Sequence, residues 1–334
     1  MRWVDRVGRR LKLRELHVLL AVEQHRSMAK AARDLGISQP VVSKTIADLE
    51  GTLGVKLLDR TREGIEPTLY GRALLRRAVT IFDELRQSVE ELAFLADPTV
   101  GELRIGCTEA IMAGMLPVII ARLHRHHPGL TFHLTQAVSG ASLQQELRER
   151  NVDLIFGTMT VPTIEDDLST EILFDEPMVV AAGASSRWTR RRSIELAELM
   201  DEPWSLPRPD SAAGRRVAEV FRTCGLPMPR ARVICNSVTM HSALVANGVY
   251  LAMPAAHVLA FSPKRFPIKV LPVNFPATPG PSGLITLKGR TMTPVMKLFI
   301  DCARDVARPL AQPVPGRRRR RGGASESLPP GRAG

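Results

Sequence analysis

The stretch SMAKAARDLGISQPVVSKTIADLEGTLGV, residues 27–55, constrains this chain more than any other, because it spells two short helices joined by a glycine turn. Met28, Ala31, Ala32 and Leu35 recur at i, i+3, i+4 and i+7, one face of a helix that Gly36 ends. Ser38 is an N-cap residue type, and Pro40 falls in the first turn of the next helix, where its missing N–H had no intrahelical partner to lose. Val42, Ile46, Leu49 and Leu53 form the buried stripe of that second helix and leave Gln39, Ser43, Lys44 and Ala47 on the far side. Gln pairs bidentately with adenine, Lys reaches guanine acceptors or phosphate, Ser bonds either, and Ala permits close approach in the major groove. The pattern therefore predicts a DNA-reading helix-turn-helix, with an ordinary αα-hairpin as the alternative.

The flanks extend that reading. Leu13, Leu16, Leu19, Leu20 and Val22 predict an amphipathic helix from Leu13 to about His25, which completes a three-helix core. Residues 1–12, with Arg2, Arg6, Arg9, Arg10 and Lys12, form a basic N-terminal extension expected to be flexible. After Gly54, extended pieces around Leu57, Leu58 and Ile65, Pro67 flank the turn-prone segment at 61–64 and predict a wing. Arg60 and Arg62 lie near its tip, where cations straddle phosphates or enter the minor groove; a solvated hairpin is the alternative. Thr68 then suits the N-cap of a proline-free helix over 69–96, whose Ala78, Phe82, Leu85, Val89, Leu92 and Ala96 are spaced as heptads. A homodimer through residues 69–96 is expected, since such a seam pairs with another copy of itself and sets two reading helices on a palindrome; a helix packed on its own core is the alternative.

Asp97, Pro98 and Thr99 break that helix, and the texture turns to alternating strands and helices. Strand Glu102 to Gly106, helix Leu116 to His126, strand Leu130 to Val138, helix Ser142 to Arg150 and strand Asp153 to Thr158 predict a βαβαβ unit on a parallel sheet. A second set starts near residue 178: strand Met178 to Ala182, helix Ser193 to Met200, a strand at Trp204, helix Gly214 to Cys224, strand Arg232 to Asn236, helix Val238 to Asn247 and strand Val249 to Ala252. Strands near Ile268 to Val273 and Leu284 to Leu287 and a helix from Thr293 to Ala307 close the chain. Two lobes follow. Ligands of such sheets bind beyond the carboxyl ends of strands, where helix N-termini offer free N–H groups. That selects Cys107, Thr108, Glu109, Ser139, Ser142, Gly157, Thr158, Pro207, Ser237, Val238 and Thr239, with Asn236, against the alternative that each Ser or Thr is a simple cap.

Composition excludes several classes. Of the net charge of +12, half belongs to residues 308–334, with seven arginines against one glutamate; Arg317 to Arg321 reads as a disordered basic tail. The four cysteines lack metal-ligand spacing, and His124, His126 and His127 sit at a helix end, so neither a metal nor a resident cofactor is expected. No signal-peptide or bilayer-length apolar run occurs, which predicts a cytoplasmic protein with no membrane partner. GxxxxGK, HExxH and GxGxxG after a strand are all missing, so no enzyme is expected.

The stretch AARDLGISQPVVSKTIADLEGTLGVKLLDRT followed by TLYG resembles the DNA-binding domain of LysR-type transcriptional regulators nearly throughout, and the order of parts resembles that family over about residues 13–307. The resemblance implies a multidomain α + α/β chain: a winged helix-turn-helix over 13–67, a dimerising linker helix over 68–97, a two-lobed periplasmic-binding-protein-like effector domain over 99–307, and a tail from 308. Lobe I spans about 99–175 and 273–307, lobe II about 176–272. It implies that Ser38, Gln39, Pro40, Ser43 and Lys44 lie at double-stranded promoter DNA, with Arg60, Thr61 and Arg62 at the wing. It further implies a small-molecule effector between the lobes, a homotetramer of two dimers, and RNA polymerase as a candidate partner. The segments ISQPVVSKTIADLE, EPTLYGRALL and EPWSLPRP look similar to regulators of sugar and aromatic-acid catabolism. Rival readings are a constitutive DNA-binding regulator whose second domain only oligomerises, and an exported solute-binding protein.

Overall fold

The computed structural model describes residues 10–62, 64–136, 140–159, 165–261, 266–276 and 280–311. The extension at 1–9, Glu63, Ser139 and the five-arginine run lie outside them.

Three helices, α1 (Leu13–His25), α2 (Met28–Asp34) and α3 (Gln39–Leu53), pack around Leu19, Val22, Ala31, Val42 and Leu49. Gly36 makes the turn between α2 and α3 at φ +64°, a left-handed conformation that costs glycine nothing. The wing is an antiparallel pair, β1 (Leu58–Thr61) and β2 (Gly64–Pro67), as the turn residues predict. Thr68 caps α4 (Leu69–Ala96), its hydroxyl accepting from the Gly71 N–H at 3.1 Å. A Cβ on Gly71 would stand 2.0 Å from the Leu57 carbonyl oxygen, so the start of α4 can press on the wing only as glycine. Its 28 residues span ~42 Å at ~1.5 Å per residue.

Beyond α4 run β3 (Val100–Cys107), α5 (Glu109–Ala113), α6 (Met115–His126), β4 (Gly129–Gln136), α7 (Gly140–Arg148), β5 (Leu154–Thr158) and β6 (Leu168–Asp175). The chain then crosses to β7 (Ala181–Gly183), β8 (Ile194–Glu195), β9 (Trp204–Leu206), α8 (Ala212–Thr223), β10 (Ala231–Ile234), α9 (Val238–Ala246), β11 (Leu251–Ala252), α10 (Ala256–Phe261), β12 (Ile268–Val270) and β13 (Val273–Asn274). It returns through β14 (Pro281–Leu287) and α11 (Pro294–Ala311). Lobe I has the strand order β4-β3-β5-β14-β6 around Ile105, Phe156 and Phe299; lobe II has β10-β9-β11-β7-β12 around Trp204 and Phe221.

Several expectations need correction. Neither sheet is wholly parallel: β14 lies antiparallel to β5 and β6, and β7 antiparallel to β11 and β12, because strands arriving after a crossing enter from the opposite direction. The helix expected over Ser193 to Met200 is the two-residue β8, parallel to β13, and a 3₁₀ turn at Leu196–Leu199, which together bury Ile194, Leu196 and Leu199. In place of a strand from Met178, a single bridge joins Met178 to Ala255 and the strand starts at Ala181. Strand β6 escaped prediction because its segment LSTEILFD is half polar on an exposed sheet edge. The last helix continues to Ala311, four residues past its expected end and into the stretch assigned to the tail.

Candidate functional site

The reading face is built by burying the rest of α3. Val42, Ile46 and Leu49 point into the core, so Gln39, Pro40, Lys44 and Ala47 are exposed and Ser43 is half-buried. Ser38 has the extended backbone of an N-cap, yet its exposed side chain makes no capping bond. Arg60, Thr61 and Arg62 are exposed on the wing, with the Thr61 hydroxyl donating to the Gly64 carbonyl at 3.1 Å. Glu50 escaped the sequence reading. Its buried carboxylate, one turn from the end of α3, accepts from the N–H groups of Leu57 at 2.9 Å and Leu58 at 3.3 Å and from Lys56 Nζ at 2.5 Å, tying the reading helix to the wing. Burial pushes that carboxyl up, but these donors outweigh it and hold the group below its ordinary range.

On α4 the heptad positions divide. Ala78 is fully buried, and Phe82 packs at a tilt on His17 of α1 with ring centroids 5.7 Å apart, so the first two expected seam positions are used within the chain. Leu85, Val89, Leu92 and Ala96 are exposed, with Ile81 and Leu95 beside them.

Between the lobes a cavity of about 140 Å³ is lined from lobe I by Thr108, Glu109, Gln136 and Thr158, and from lobe II by Ser205, Pro207, Arg216, Asn236, Val238 and His241. Most of its remaining wall is apolar, including Met178, Val258 and Leu259. Glu109 reaches across the cleft and accepts from the Val238 N–H at 2.6 Å, at the first residue of α9. Burial raises its carboxyl above the ordinary range against the opposing donors of Val238, Ser237 and Thr239. His241 Nε2 faces the Cys235 carbonyl at 3.0 Å and therefore donates, which leaves Nδ1 to accept from the Ser205 hydroxyl at 2.7 Å. Burial lowers the His241 pKa, so the ring is neutral at pH 7. Arg216 donates to the Glu176 carbonyl, and its nearest carboxylate is that of Glu176, 3.7 Å away; burial pulls its pKa down to about 10, still charged at neutral pH. The Thr108 hydroxyl is buried with no hydrogen-bond partner among the described residues.

Of the sequence-predicted cleft residues, Thr108, Glu109, Thr158, Pro207 and Val238 line this cavity, as does Asn236. Thr239 lines a neighbouring apolar pocket with Ala113 and Ile268. Ser237 caps α9, accepting from the Met240 N–H at 3.2 Å. Gly157 lies beneath the site: a Cβ there would stand 2.9 Å from the Thr108 methyl. Two positions are corrected. Cys107 is fully buried in the lobe I core, where desolvation pushes its thiol up to about 12, and Ser142 is exposed on the first turn of α7, outside the cavity lining. Arg216, Ser205 and His241 were missed, since strand ends and caps reveal a site's rim whereas these reach it from the body of a strand or helix.

Residues 13–72 match the family model described as bacterial regulatory helix-turn-helix protein, lysR family, and residues 96–308 match the LysR substrate binding domain. The chain belongs to the LysR family. It is 31% identical over 287 residues to the transcriptional regulator GbpR of Azospirillum brasilense, a match covering 85% of this chain and 83% of that one. Its fold is similar to that of a full-length OxyR variant from Pseudomonas aeruginosa, with a TM-score of 0.66 at 24% identity over 91% of this chain and 99% of the other. It is also similar to CbnR in complex with its target DNA, with a TM-score of 0.51 at 24% identity over 89% and 100% of the two chains. LysR regulators bind promoter DNA and small-molecule effectors and form oligomers; this member is a DNA-binding transcriptional regulator with an effector-binding domain. Among the described residues no helix is long and apolar enough to cross a membrane, and no group of His, Cys, Asp and Glu is placed to hold a metal.

Proposed function

We propose that this LysR regulator reads a two-fold symmetric operator through α3 and its wing, and that a small molecule in the inter-lobe cavity sets how it does so. Gln39, Ser43 and Lys44 contact base edges, Ser38 and Pro40 lie at the backbone, and Arg60, Thr61 and Arg62 engage phosphates beside the wing. The exposed seam Leu85, Val89, Leu92 pairs two copies, and contacts between effector domains join two pairs into a tetramer acting on RNA polymerase in the cytoplasm. Its action is regulatory, without catalysis. The observation that carries the effector reading is the cavity itself, closed by Glu109 from one lobe and Val238 from the other, because a ligand there touches both lobes and so favours one arrangement of them.

Thermal melting of the full chain against a metabolite panel tests this. A cleft ligand at 100 times its Kd stabilises the fold by about 2.7 kcal/mol, and Val238→Trp, which fills the cavity, is expected to abolish that shift. A ligand that stabilises the Val238→Trp protein equally binds elsewhere and removes the cleft from the account.

A further inference from the structure

Opposite the cleft, lobe I grips the linker helix through buried charge. Arg290, in the loop after β14 and with its side chain only 2% exposed, donates to both carboxylate oxygens of Asp83 of α4 through Nη2 and Nε, at 2.9 and 3.0 Å. The same group donates to Asp153 Oδ1 at 2.7 Å and to the Val152 carbonyl at 2.9 Å, at the start of β5. Arg86 of α4 reaches both aspartates, at 2.8 and 3.1 Å; Arg104 of β3 holds Asp153 at 2.8 Å; Arg150 holds Asp83 at 2.5 Å. Two further carboxylates of α4, Glu84 near Arg150 and Glu90 on Arg86, balance the four guanidiniums.

We propose that Arg290 is a positioning residue, which fixes the rotation and placement of the DNA-reading head on the effector domain and transmits to it what happens in the cleft. Three strands join the two places. β5 begins one residue after Asp153 at the node and ends at Thr158 at the cavity, β3 carries Arg104 and ends one residue before Thr108, and β14 runs from near Ser282, whose hydroxyl donates to Thr158 Oγ1 at 3.3 Å, back toward Arg290. Five residue steps at ~3.3 Å each set Asp153 and Thr158 only ~17 Å apart. Charge is a poor choice for mere adhesion, because apolar residues of similar volume hold such a contact as well or better. A guanidinium fork on a carboxylate, however, fixes direction as an apolar patch does not. Arg150 points the same way: it keeps a left-handed φ of +62°, a conformation costly for a non-glycine residue, while its guanidinium reaches Asp83.

The test uses the full chain, with no effector, on an operator it selects from random DNA, so its failure would leave the effector reading standing. An insertion of about 5 bp turns two half-sites to opposite faces of the duplex. Wild type is expected to lose affinity at least about tenfold on that insertion, and Arg290→Met less than about threefold, with single half-site affinity kept and Arg290→Lys intermediate. In amide exchange, Arg290→Met should speed residues 83–95 about tenfold or more while β3 and β5 stay within about twofold. If Arg290→Met does not fold, Asp83→Asn removes the same grip from the α4 side and spares the bonds of Arg290 within lobe I. Wild-type spacing dependence in a folded variant, or exchange rising equally through β3 and β5, overturns the proposal.

Discussion

The two long faces of α4 invert the usual order of a protein. On one, Leu85, Val89 and Leu92 stand 45%, 60% and 67% exposed; on the other, Asp83 and Gln87 are 6% and 3% exposed, with the Gln87 amide donating to Asp83 at 2.7 Å. An apolar stripe left in water is explained by a partner outside the chain, and a buried carboxylate by partners within it. One helix thus meets its own effector domain on one side and, on the proposed reading, a second copy on the other. In a pair built on that seam, motion of lobe I against α4 would reach both reading heads together.

The largest effect expected from breaking this arrangement is on the charged face. Asp153→Ala leaves Arg104 and Arg290 short of their shared carboxylate and should destabilise the fold by about 3–5 kcal/mol in urea unfolding, whereas replacing both Asp83 and Arg290 by apolar residues of similar volume should cost far less. Next comes the apolar face. Leu92→Asp puts two carboxylates into the pairing seam and forfeits about 1.5–3 kcal/mol of burial per leucine, so sedimentation should find dimer dissociation at concentrations where wild type stays paired, with the monomer's melting temperature little changed.

Effects at the DNA are smaller. Gln39→Ala or Lys44→Ala should cost about 1–3 kcal/mol at the selected operator and relax specificity there, while Arg62→Ala should weaken all sequences alike and lower the salt slope by about 1. Acidification should separate the two faces of α4 at modest cost. Burial alone would raise the carboxyls of Asp83 and Asp153, but the surrounding guanidiniums outweigh it and hold both below their ordinary range. Their folded pKa being depressed, the stability they contribute is fully present above the ordinary carboxylate pKa of about 3.8 and is lost as pH falls from there through the depressed folded values. Melting curves of Asp153→Asn should therefore be less sensitive than wild type to acidification below about pH 4, and dimerisation through the apolar seam should not share that dependence.

What could be read from the sequence follows from the range of the forces involved. The head is governed by local rules, so Gly36, the stripe Val42, Ile46, Leu49 and the cap Thr68 are legible from neighbours a few residues away. The heptads of α4 are equally local, but which seam residues the chain consumes itself, Ala78 and Phe82, depends on α1 packing against them. The cleft was half legible. Thr108, Glu109 and Thr158 end strands or open helices, whereas Arg216 enters from the second turn of α8 and Glu176 from the crossing between lobes. The charged node was hidden altogether: Asp83, Arg86 and Glu90 look like an ordinary solvated helix face, and the lobe I partners of Asp83 and Arg86 lie 67 and 207 residues along the chain.

On the proposed reading, occupation of the cleft changes how the paired heads sit on DNA. Nuclease footprinting of the full chain on its selected operator, with and without a metabolite already shown to bind in the cleft, tests it most directly. The protected span or its internal hypersensitive positions are expected to change on ligand addition in wild type and to stay fixed in Val238→Trp. An identical footprint with every ligand that binds the cleft would contradict it.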